Sequence, residues 1–171
     1  CHTDMGMIDY NASWIEIGVN GSHLVGCHHM LFEGNYGQNL DSDNTHGASV
    51  YHTFFRNWAR GIRAPFVDPK PGAPSPAPNV DDASQSGNGP RRCAGCQDYT
   101  YWMSFVGNVL GASGQHSGWV YEQTSWSSGP GIWLLGWCSG FDITTTIDPR
   151  VTDNSFVGHV IRDGNWDWLN S

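Results

Sequence analysis

Lysine is nearly missing from this chain: Lys70 is the only one. Charged residues of any kind make up 14%, and eight Lys and Arg face sixteen Asp and Glu, for a formal net charge of −8. A surface of that sign repels phosphates and excludes nucleic acid as a partner. No run of about 18 apolar residues occurs, so the sequence contains no transmembrane segment of the helical kind. Ala, Leu and Glu are scarce as well as Lys, which argues against an all-helical protein. Glycine and aromatics are plentiful instead, with 22 Gly, nine Trp, seven Phe and six Tyr among 171 residues. That many rings bury too much apolar surface for a disordered chain. The length suits a single domain, residues 1–171.

The first residue is Cys1, which fits a mature secreted form, an acylated lipoprotein or a fragment; a processed or truncated chain is the expectation. Two glycosylation-type triplets, Asn11-Ala12-Ser13 and Asn20-Gly21-Ser22, and the near-absence of Lys lean towards an extracellular or cell-surface location. Residues 65–92 hold seven of the nine prolines, interleaved with Ser, Gly, Ala and Asp. Proline lacks the ladder N–H, so this segment reads as a long surface insertion loop between two β-rich parts.

Those parts share a repeat. Phe32-Glu33-Gly34-Asn35, Phe54-Phe55-Arg56-Asn57 and Phe105-Val106-Gly107-Asn108 all fit Phe-x-x-Asn, and Ser155-Phe156-Val157-Gly158-His159-Val160 copies Ser104–Val109 with one change. The Phe positions 32, 54, 105 and 156 are separated by 22, 51 and 51 residues. A period of about 22 residues suits one coil of a parallel β-helix, and 51 would be two coils plus an excursion. In such a coil Phe points inward, Gly or Asn takes the left-handed turn, and Asn stacks on its copies. The fold expected is all-β: a right-handed parallel β-helix, or solenoid, carrying the Pro-rich loop. The alternative is a β-sandwich with similar turns.

His28-His29-Met30-Leu31-Phe32-Glu33-Gly34-Asn35, followed one coil later by Tyr51-His52-Thr53-Phe54-Phe55-Arg56-Asn57, resembles the right-handed parallel β-helix proteins of the pectate-lyase-like superfamily. The resemblance covers about 14–64 and 99–165. It implies a fold more than an activity, since the superfamily includes polysaccharide lyases, glycoside hydrolases and epimerases as well as tailspikes and adhesins.

The densest polar cluster is Asn39-Leu40-Asp41-Ser42-Asp43-Asn44-Thr45-His46-Gly47. Asp41 and Asp43 are candidate oxygen ligands for Ca²⁺, without the spacing of an EF-hand loop. The plain alternative is a polar turn between coils. Arg60 and Arg63 follow one coil later. In the lyases of the family a basic side chain removes a proton from a cation-held acidic sugar, so Asp41, Asp43, Arg60 and Arg63 form the candidate catalytic set. A hydrolase would instead use a carboxylate pair. His28-His29 invites a metal reading, but neighbours on a strand point to opposite faces, so one of the two at most should join any site. Cys93-Ala94-Gly95-Cys96 lacks the context of a redox, haem or zinc site, which leaves a disulfide closing the end of the Pro-rich loop. In Trp166-Asp167-Trp168 the alternation places both indoles on one face, a candidate platform for stacking sugars.

Two functions compete. One is an extracellular β-helix that binds or processes a polysaccharide, as a lyase or hydrolase if it is an enzyme. The other is a non-catalytic structural or adhesive module whose coil ends pair with copies of itself into a filament or array.

Overall fold

The computed structural model describes residues 18–21, 26–42, 44, 47–61, 92–114, 118–124, 130–137, 147–152, 156 and 159–170. Within them the chain is all-β, and every strand pairing is parallel. Parallel neighbours cannot be joined by tight hairpins, so each strand must travel away and return. Here the return passes through two other sheets. After β1 (Val19–Asn20), one circuit contains β2 (Leu31–Glu33), β3 (Tyr36–Gly37) and β4 (Leu40–Ser42). The next contains β5 (Thr53–Phe55), β6 (Trp58–Ala59) and β7 (Arg92–Gln97). A third runs through β8 (Ser104–Val106) and β9 (Val109–Leu110) to β10 (Val120–Gln123) and β11 (Gly131–Trp137), and the last holds β12 (Ile161–Asp163) and β13 (Trp166–Asp167). The three sheets are ordered β1-β4-β7-β11-β10, β12-β8-β5-β2 and β13-β9-β6-β3. These stacked parallel sheets are compatible with a solenoid and incompatible with an antiparallel sandwich.

The register explains the Phe-x-x-Asn repeat. Phe32 pairs with Phe54 and Phe54 with Phe105, and their buried rings stack at 4.9 and 4.8 Å. Three residues on, Asn57 receives the backbone and side-chain N–H groups of Asn35 on its Oδ1, at 2.9 Å each. Asn57 in turn donates to Asn108 Oδ1 and to the Phe32 carbonyl. The same geometry repeats from Asn108 to Asn165. Each buried amide thus satisfies the backbone where the chain turns between two sheets. The residue before each Asn is left-handed, with φ of +70° at Gly34, +56° at Arg56, +64° at Gly107 and +61° at Gly164. Glycine accepts that conformation freely; Arg56 holds it at a cost of about 1–2 kcal/mol.

Two details of the repeat differ from expectation. The 51 residues from Phe54 to Phe105 span one circuit, not two, because β5 and β8 are direct neighbours. The extra length lies between β6 and β7, where residues 62–91 fall outside the described part; Arg92, at the end of the Pro-rich segment, already opens β7 and is buried. Phe156 is not the fourth ring of the stack. It is 94% exposed, and Arg162 pairs with Phe105 in its stead. The copied hexapeptide therefore sits six residues ahead of the true coil position, which the Asn ladder marks at Asn165.

Candidate functional site

The outer face of the β3-β6-β9-β13 sheet carries a row of large rings. Tyr36 pairs with Trp58, Trp58 with Val109 and Val109 with Trp166. Because side chains alternate along a strand, all four point the same way while Ala59 and Leu110 enter the core. Tyr36 is 59% exposed, Trp58 42%, Trp166 43% and Trp168 36%, so the row keeps much of its apolar surface in water at a site where a sheet would ordinarily present polar groups. Tyr36 and Trp58 meet edge to face at 5.0 Å, and Trp166 and Trp168 at 4.5 Å. Trp58 is fixed by its indole N–H, which donates to the Gly111 carbonyl at 2.8 Å. As expected from alternation, Asp167 lies opposite its two Trp neighbours, in register with Leu110. Its carboxylate accepts from the backbone N–H groups of Leu169 and Asn170.

The structure brings Arg60 to this row and leaves Asp41 elsewhere. Arg60 Nη1 is 3.5 Å from the Tyr36 hydroxyl. Asp41 is buried on β4, where Arg92 of β7 donates to its carboxylate. The other Asp41 oxygen accepts from the Ser42 backbone N–H, and Asn39 donates to the carboxylate from its side chain. The nearby polar residues likewise tie circuits together: Asn44 donates from its backbone to Gln97 Oε1 and from its amide to Asp98, both at 2.7 Å. Asp43 and Arg63, the remaining members of the expected catalytic and Ca²⁺-binding sets, lie outside the described residues. Among the described residues no three His, Cys, Asp or Glu side chains gather as a metal site.

The expected Cys93–Cys96 disulfide is not formed; Cys96 carries a free thiol. Both residues belong to the extended strand β7. Three residues of strand span roughly 10 Å, beyond the separation of about 7 Å that a disulfide can bridge, and an odd separation sends the side chains to opposite faces. Burial pushes both thiols to higher pKa, with the Asp167 charge adding to this at Cys93 and the Asp41 charge at Cys96. Such thiols are inert at neutral pH. Asn20 is fully buried on β1, so its triplet presents no amide for glycosylation, and Asn11 lies outside the described residues.

Tyr36 and Trp58 escaped the sequence reading although they sit 22 residues apart, the coil period. That shared interval was the available signal. A second group it missed is Asp148, Arg150, Tyr99 and Tyr101. Burial works to raise the Asp148 carboxyl, but hydrogen bonds from Arg150, Tyr101 and two backbone N–H groups outweigh it and hold its pKa at about 2. The Arg150 guanidinium lies over both Tyr rings. This cluster is internally satisfied.

No known protein family, curated protein or solved structure matches the chain. Among the described residues no helix is long and apolar enough to cross a membrane.

Proposed function

We propose that the chain is a right-handed parallel β-helix similar to the pectate-lyase-like superfamily, working outside the cell or at its surface, and that it binds a polysaccharide along the Tyr36–Trp58–Trp166–Trp168 row. The winding through three parallel sheets and the Phe and Asn ladders support the fold. The observation that carries the function is the exposed row itself. Rings anchored on rigid strands offer apolar faces to the C–H surfaces of sugars with little loss of side-chain freedom on binding. Arg60, beside Tyr36, adds a cation suited to a hydroxyl or carboxylate on the same chain. With Asp41 committed to Arg92, binding has more support than processing.

Affinity should be measured by calorimetry against neutral glycans and polyuronates, each with and without Ca²⁺. Trp58→Ala and Trp166→Ala should each weaken binding of the preferred glycan roughly tenfold, about 1.4 kcal/mol, without unfolding the chain. No binding to any of these polymers, or unchanged affinity in both variants, would refute the reading.

A further inference from the structure

His28 and His29 do what adjacent strand residues ordinarily cannot. His28 forms a bridge to Val50, which fixes it in an extended ladder. His29 then turns left-handed, with φ of +55°. That single reversal abolishes the alternation and swings its ring to the side of its neighbour. The two Nδ1 atoms stand 2.8 Å apart, with the ring planes at 88°. Both residues are exposed.

We infer that His28 and His29 form a two-imidazole chelate for a divalent transition metal of the Cu(II) or Ni(II) type. Two nitrogens each about 2.0 Å from a metal lie about 2.8 Å apart when they subtend a right angle, and about 3.3 Å apart at the tetrahedral angle. The observed separation matches the right angle of square-planar or octahedral coordination. Without a metal, one Nδ1–H donates a hydrogen bond to the other Nδ1. Metal entry requires the tautomer of that ring with its proton on Nε2, which frees both Nδ1 lone pairs.

The pair is also pre-organised. The His29 ring stacks on Tyr51 at 5.0 Å, and Tyr51 stacks on Trp102 at 6.3 Å. Tyr51 and Trp102 share the left-handed conformation, each with φ of +62°. The three lie 22 and 51 residues apart, so this is a left-handed turn position repeated once per circuit, held by non-glycine residues at a cost of about 1–2 kcal/mol apiece. The stack fixes the plane in which His29 offers its nitrogen, as a supporting layer does for a metal ligand.

The test is titration of Cu(II) into the full chain, followed by calorimetry and electron paramagnetic resonance. The wild type should bind an equivalent whose spectrum shows coupling to two imidazole nitrogens. His28→Ala and His29→Ala should each weaken that equivalent roughly tenfold or more. The double variant should lose one equivalent and the two-imidazole signature, while His159→Ala keeps both. Circular dichroism of the exposed-site variants checks that the fold is retained. Full stoichiometry with the two-imidazole signature in the double variant would overturn the inference, as would its absence from the wild type.

Discussion

Arg162 Nη1 donates to Glu122 Oε2 at 2.7 Å, joining β12 to β10 across the end of the stacked core. Arg162 occupies the register position below Phe105, and its guanidinium lies 5.1 Å from the centre of the Trp133 ring. Asp167 takes the equivalent place below Leu110. The last described circuit thus places charged residues in register with two inward apolar ones. A second copy stacked against this circuit would have to desolvate the partly exposed Glu122 and Asp167 carboxylates, which weighs against assembly there.

Arg162→Leu should therefore convert the end into an apolar face. Light scattering at equal concentration should show larger particles for this variant than for the wild type, with Glu122→Gln intermediate. The ion pair is partly exposed, so Glu122→Gln should cost about 1 kcal/mol or less of stability. Identical particle sizes for all three proteins would show that the pair does not guard the end.

Asn57 is the central test of the ladder. Asn57→Ala removes the acceptor of the Asn35 backbone N–H and the amide that donates to the Phe32 carbonyl and to Asn108, at about 1–3 kcal/mol for a polar group left unpaired and about 1 kcal/mol for each further bond lost. Urea unfolding should give a loss of about 3 kcal/mol, well above that of Asn165→Ala in the last circuit. Equal losses at the two positions would mean that the ladder is not stabilised from its interior.

Asp41→Asn distinguishes a structural from a catalytic carboxylate. Neutralising Asp41 removes a buried charged partner of Arg92, and stability should fall by about 3–5 kcal/mol. Any loss of function should then follow unfolding in a thermal melt. A folded variant of wild-type stability that had lost a glycan-processing activity would restore Asp41 to a catalytic role.

His52 should give the protein a stability that depends on pH. Its ring is fully buried, with Nδ1 accepting from the Met30 backbone N–H at 3.2 Å and Nε2 donating to the Gly21 carbonyl at 2.9 Å. Burial lowers its pKa from the ordinary 6.5, and the nearby His28 and His29 act in the same direction against the opposing Gly21 bond. The unfolded chain then binds the proton more readily than the folded one. Stability from this residue is complete above 6.5 and is lost as pH falls from there through the lower folded value. Denaturant titrations at pH 7.5, 6 and 5 should show this decline in the wild type and a shallower one in His52→Gln. Parallel profiles would assign the decline to other groups.

The coil period was visible in the sequence because the Phe and Asn ladders place the same two residue types at each turn, and Phe32 to Phe54 gives one circuit directly. It failed at Phe156, which is exposed although it belongs to a near-copy of Ser104–Val109, while the unlike residues Arg162 and Asn165 hold the register. Backbone pairing fixes which residues stack, and here a charged residue takes the register position of an apolar one. Trp166 and Trp168 were legible as a pair from alternation alone. Tyr36, Trp58 and Arg60 joined them only through parallel pairing between distant segments.

Composition and repeat determined that this protein is built from short strands with inward rings, because burying aromatics at a regular interval leaves few other solutions. Tertiary structure decided the rest. Whether Asp41 faces solvent or Arg92, and whether Cys93 and Cys96 can meet, depends on which strand lies alongside. The direction in which His29 points depends on one backbone angle, and neither that angle nor the strand neighbours are encoded in local spacing.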